Sequence, residues 1–125
     1  MKKIRYFLPA FVWGLVILIL LNISGNYIPH PAFADWLQWD KITHLIFFGT
    51  FSFALLWGFS KSYTLATKIY VFVFLISAIY GGLTEYLQHI LNVGRTGHIY
   101  DFYANLLGAG FGCLLFWIKT KRRKV

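Results

Sequence analysis

This chain is short of charge. Only 13% of its 125 residues are Asp, Glu, Lys or Arg, roughly half the share of about 25% found in soluble domains. Acids are scarcest, with Asp35, Asp40, Glu85 and Asp101 standing against twelve Lys and Arg. A single cysteine, Cys113, lies in an apolar run, which excludes a disulfide framework and a thiolate metal cluster. Apolar residues make up 58% of the chain and aromatics 21%, with a mean hydropathy of +0.62. A small domain exposes a large share of its surface, so this much apolar area cannot be hidden from water. Soluble enzymes, DNA-binding modules and disordered proteins are excluded, and an integral membrane protein is implied.

The net charge of +8 could suggest nucleic acid, but its placement speaks for a membrane, and no nucleic-acid partner is expected. A span needs about 20 mostly apolar residues, and the chain offers four such stretches: roughly 5–23, 41–60, 69–90 and 99–118. Backbone groups in lipid must bond within their own segment, so the expected fold is all-α. It is a single domain over 1–125, a four-transmembrane-helix bundle. The first span has the basic start of a signal peptide, but the Ala32-x-Ala34 pair lies too far beyond the apolar run for a usual cleavage site, so the segment reads as retained. Lys2, Lys3 and Arg5, then Lys61 and Lys68, then Lys119, Lys121, Arg122, Arg123 and Lys124 fall on one side of such a bundle. These ten basic residues mark the cytoplasmic side. Both termini are therefore expected inside, in a multi-pass cell-membrane protein touching anionic lipid headgroups with its basic tail. Lys41 and Arg95 are the outer exceptions.

The outer connection of about 24–40 holds Pro29 and Pro31, which prevent a regular helix in its first half. Its Tyr27, Trp36 and Trp39 suit an interfacial belt, and the loop could also lie over the bundle mouth as a lid. Small residues recur at helical spacing as Ser77 and Gly81, and as Ala104, Gly108 and Gly112, a pattern that lets helices approach closely in lipid.

The polar residues carry the functional signal. Asp40 and His44, then Glu85 and Gln88, then Asp101 and Asn105 each lie three or four residues apart, so each pair shares one helix face. Three spans thus present polar stripes at the same outer depth, while the inner half is nearly devoid of them. Each residue also has a plainer role. Asp40 suits an N-cap, Asp101 gains from a positive helix end, Arg95 can be a counter-ion, and His89 can face headgroups. His30 reads as incidental and His98 as ambiguous. Glu85 is hardest to explain away, since an acid about one turn inside a span is costly.

The elements DKITH at 40–44, E-Y-L-Q at 85–88, Arg95 and D-F-Y-A-N-L-L-G at 101–108 together resemble the VanZ-like family of small bacterial membrane proteins. The resemblance implies a link to glycopeptide (teicoplanin) resistance and to the cell envelope, with a lipid-linked cell-wall precursor or a glycopeptide as partner besides membrane lipids. The first functional expectation is a protein that binds or modifies an anionic lipid-linked molecule. Its binding residues would be Asp40, Lys41, His44, Glu85, Gln88, Arg95, Asp101 and Asn105. The alternative is a membrane-embedded acid/base or metal-assisted enzyme on such a substrate, with Glu85, His44 and Asp101 as candidate catalytic groups. A small transporter is the second alternative. The cluster's oxygens and nitrogens suit a divalent metal, but there is no signature such as H-E-x-x-H, so neither a metal nor a cofactor is assigned. The sequence leaves the oligomeric state open.

Reporter fusions test the orientation. One placed after Val125 should report a cytoplasmic location and one within residues 24–35 should not. The reverse pattern would remove the outer-face site.

Overall fold

In a computed structural model, residues 3–22, 39–91 and 99–124 are described, with the side chains of Trp39 and Asp40 left out. A 3-10 turn at Ile4–Phe7 leads into α1 (Leu8–Leu21), followed by α2 (Trp39–Ser62), α3 (Thr67–Leu91) and α4 (Ile99–Arg123). Pro9 falls in the first turn of α1, where a missing N–H costs no helical hydrogen bond. All four helices are long and apolar enough to cross a membrane, counting the 3-10 turn with α1. The 24 residues of α2 span about 36 Å at about 1.5 Å per residue, ample for hydrocarbon about 30 Å thick. The last helix passes the expected end near 118 and runs through the basic tail to Arg123. Lys and Arg are good helix formers, and they sit well at the negative C-terminal end of the helix dipole.

Each helix buries a stripe at helical spacing. Ala10, Gly14, Ile17 and Leu21 line α1, and Val73, Ser77, Gly81, Thr84, Glu85 and Gln88 line α3. The outward faces are apolar: Phe11, Ile19, Ile79 and Leu107 are all exposed, as a lipid-facing surface requires.

The packing follows an up-and-down course. Phe7 meets Gly58 at one end, and Leu21 meets Gln88 at the other, so α1 runs against α2 and alongside α3. The Nε1–H of Trp13 donates to the Phe47 carbonyl (3.0 Å), and the Tyr80 hydroxyl donates to the Gly14 carbonyl, tying α1 to α2 and α3. Lys3 lies over the Tyr63 ring, and Lys61, Lys121 and Lys124 line one hollow. The described chain ends thus gather at the same end of the bundle.

The largest contact is between α2 and α4, which run parallel. It depends on absent side chains. A Cβ on Gly108 would overlap the Leu45 carbonyl oxygen and one on Gly112 the Gly49 carbonyl oxygen, while one on Gly49 would sit 3.1 Å from the Gly108 oxygen. The Ser52 hydroxyl, fully buried, bonds across the seam to the Ala109 carbonyl (3.0 Å). Towards the basic end, Leu56, Val73 and Phe116 form an apolar core.

Gly108→Ala or Gly112→Ala should therefore lower the melting temperature of detergent-solubilised protein, since overpacking costs about 1–3 kcal/mol. Gly110→Ala, whose new methyl would find its nearest atom 3.7 Å away on Phe74, should leave it unchanged or higher.

Candidate functional site

At the end of the bundle opposite Lys3, Lys61, Lys121 and Lys124, three helices bring polar side chains together. His44 comes from the second turn of α2, Glu85 from α3, and Asp101 and Asn105 from the first two turns of α4. Their exposures are 1% for His44, 9% for Glu85, 4% for Asp101 and 0% for Asn105. Glu85 lies six residues before the end of α3, about 9 Å along the helix axis at about 1.5 Å per residue.

Asn105 is the hub. Its Nδ2–H group donates to Glu85 Oε1 (3.3 Å) and to the Gly81 carbonyl (3.4 Å). With the amide nitrogen turned to two acceptors, its Oδ1 faces His44 Nδ1 at 2.8 Å. A carbonyl oxygen only accepts, so this network assigns the proton to Nδ1. In the neutral ring the lone pair is then on Nε2. Glu85 Oε1 lies 3.4 Å from the same Nδ1, a longer second contact. Asp101 completes the group: His44, Glu85 and Asp101 each place one nitrogen or oxygen within 4.8 Å of the others.

Local sequence makes room for this hub. A Cβ on Gly81 would press on Asn105 Cβ at 3.0 Å, so the glycine opens the wall of α3 to the amide. The Thr84 hydroxyl bonds the Gly81 carbonyl (2.8 Å), which leaves that carbonyl shared between Thr84 and Asn105.

The other residues expected at the site are placed differently or fall elsewhere. Gln88 Nε2 donates to the Leu21 carbonyl at 2.6 Å, serving the end of α1, where carbonyls lack helical partners. Lys41 is half-buried in the first turn of α2, whereas His89 is exposed. Asp40 belongs to the first turn of α2, with its side chain outside the described residues. Arg95, His30 and His98 also lie outside them, as does most of the 24–40 loop. Sequence reasoning missed Thr84 and Ser52, whose hydroxyls look like ordinary helical residues until their acceptors are known. It also missed Gly49, a lone glycine among aromatics.

The fold and this end of the bundle define a class: a membrane protein with four spanning-length helices among the described residues and a buried His, Glu, Asp and Asn cluster near one end. The family model described as VanZ/LLP1 matches residues 3–120, so the chain belongs to the VanZ-like family. It is 33% identical over 109 residues to the uncharacterized protein C11E3.10 of Schizosaccharomyces pombe, covering 86% of this chain and 64% of that protein. The chain thus spans just under two thirds of that relative's length. No solved structure matches.

The tautomer is open to measurement. Nitrogen-15 shifts of His44 in the purified protein should show a protonated Nδ1 and an unprotonated Nε2. Asn105→Ala should erase that preference and destabilise the fold by about 1–3 kcal/mol, the cost of leaving buried partners unsatisfied.

Proposed function

We propose that this protein binds or modifies an anionic lipid-linked envelope molecule at the polar end of its bundle. The observation that carries the reading is the convergence of His44, Glu85 and Asp101, buried and from three different helices, within 4.8 Å of one another. Holding two carboxylates and an imidazole at this depth is costly, and a simple helix clamp could be built from far cheaper groups. The helix N-termini of α2 and α4 face the same end, so their positive dipole ends favour a phosphate or carboxylate there. Lys41, and Arg95 by its place between α3 and α4, supply the positive charge for that anion. Glu85 and Asp101 then accept hydrogen bonds from the neutral part of the headgroup, with Asn105 holding Glu85 in place and Asp40 and Gln88 assigned to the same end of the bundle. In this reading the polar end faces the outside of the cell membrane and the basic end the cytoplasm, which is the arrangement that charge bias sets. The partner class is a lipid-linked cell-wall precursor or a glycopeptide, and a change in teicoplanin sensitivity is its physiological readout.

A second reading, catalysis, has one specific observation behind it. Asn105 orients His44 so that Nε2 carries the lone pair, with Glu85 alongside, the arrangement of a positioned general base. A transporter has less support, because the Leu56, Val73 and Phe116 core interrupts the polar groups in the basic half of the bundle.

The test is binding of a polyprenyl phosphate, read as a rise in melting temperature over phosphatidylcholine alone. Wild type should respond. Glu85→Gln keeps the side-chain shape, so it should melt near wild type yet lose the response and any teicoplanin phenotype. Arg95→Ala should weaken both stability and response. Full function in Glu85→Gln would make Glu85 a structural hydrogen bonder and end this reading, while turnover of the lipid phosphate by wild type would select the enzyme.

A further inference from the structure

We infer that His44, Glu85 and Asp101 form the binding site of one divalent metal ion of the Zn2+ or Mn2+ class. Each offers one ligand atom, the three atoms lie within 4.8 Å of one another, and all three residues are at least nine-tenths buried. This is a mixed donor set on three helices rather than a patch of surface acids. Imidazole suits Zn and its neighbours in the first transition row, carboxylate suits Mn and Mg, and a site with one imidazole and two carboxylates falls between. One imidazole and two carboxylates can together offer a divalent ion two negative charges, which the ion would cancel where the local dielectric is low.

The surroundings match what a ligating histidine needs. Such a ring donates its other N–H to a neighbour that fixes the tautomer, and here Nδ1–H is directed at Asn105 Oδ1 at 2.8 Å. Ligation would then fall to Nε2, and Glu85, whose Oε1 lies 3.4 Å from Nδ1, would turn its carboxylate toward the far side of the ring. Asn105 is then a positioning residue, holding His44 and Glu85 with its two ends. Bond lengths of about 2.0–2.2 Å put neighbouring donors of a tetrahedral ion about 3.4 Å apart. Bound metal would therefore draw the trio inward through the Glu and Asp side-chain torsions.

Three protein ligands leave a further coordination position, as in metal sites that take a substrate. Resting on the lipid-phosphate reading above, that position would accept a phosphate oxygen. The ion then explains how a pocket holding two carboxylates can receive an anion: the cation lies between them. The cation site itself stands without that step.

The experiment uses the full chain in phosphatidylcholine nanodiscs, stripped with a chelator, desalted and titrated with Zn2+ and Mn2+. Wild type should retain one ion per chain through gel filtration, and bound Mn2+ should give an altered electron paramagnetic resonance spectrum. His44→Ala, Asp101→Asn and the shape-conserving Glu85→Gln should lose the ion while keeping wild-type helicity. Asn105→Ala should weaken binding by about 10- to 100-fold, and His89→Ala, on the exposed face of α3, should bind as wild type. No retained ion in wild type, or equal retention in the three ligand variants, overturns the site. Adding a polyprenyl phosphate separates the two proposals. Binding only with metal present supports the bridge. Binding that persists in chelator removes the bridge and leaves the lipid reading standing, while the cation site stands or falls on ion retention alone. A retained ion with no lipid response keeps the cation site and sinks the lipid reading.

Discussion

The contact that sets everything else in this bundle is the seam between α2 and α4. Gly108 and Gly112 bring the α4 backbone against the carbonyls of Leu45 and Gly49 so closely that a single methyl group would not fit. In lipid, apolar side chains gain little by leaving acyl tails for one another, so association depends on such close packing and on hydrogen bonds between helices. The Ser52 bond to the Ala109 carbonyl adds one across the same seam. Because the two helices run parallel and start at the same end, fixing 45 against 108 also fixes His44 beside Asn105. The register of the site is a consequence of the glycine seam one turn deeper.

Above that seam the chain gathers polar groups where they are hardest to hold. Glu85 and Asp101 are both buried and belong to different helices, so their closeness is a tertiary choice and not a local one. Asn105 makes the arrangement tolerable, since it spends every polar end: Oδ1 on His44, and Nδ2 on Glu85 and Gly81. A fully connected polar network stiffens a core, while a partly connected one costs more than an apolar core would. Gly81 belongs to the same device, as the vacancy on α3 that admits the amide. The opposite half of the bundle follows the other rule, filled by Leu56, Val73 and Phe116 and ringed at its surface by lysine and arginine.

Much of this was legible in the residues themselves. Runs of about 20 apolar residues have no stable alternative to a membrane helix, so the four spans and the order of the polar stripes could be read directly. Spacing of three or four put His44, Glu85, Asp101 and Asn105 on single faces, and the small-residue stripe Ala104, Gly108 and Gly112 marked the packing side of α4. Spacing cannot say which faces meet. Gln88 shares a face with Glu85, yet its described bond goes to the Leu21 carbonyl, because the end of α1 lies closer to it than its sequence neighbours suggest. Gly49 gave no warning either, since one glycine in FFGTFSF forms no stripe and matters only through the helix that faces it. The bonds of Thr84 and Ser52 depend on carbonyls whose positions a sequence does not contain.

Depth decides what kind of molecule such a site can meet. Glu85 and Asn105 each lie six residues from the end of their helices at this face, about 9 Å along the axis. The headgroup layer is about 5–8 Å thick on each side of about 30 Å of hydrocarbon. With the helix ends at the membrane surface, the cluster would sit near the boundary between headgroup and acyl chain, below the level a dissolved ligand reaches without burying its own polar surface. A molecule anchored by its tail already holds its phosphate close to that boundary and can approach sideways through the leaflet. On the function proposed above, buried acids and a histidine at this height would suit a ligand that never leaves the membrane, whether the protein only holds it or also alters it.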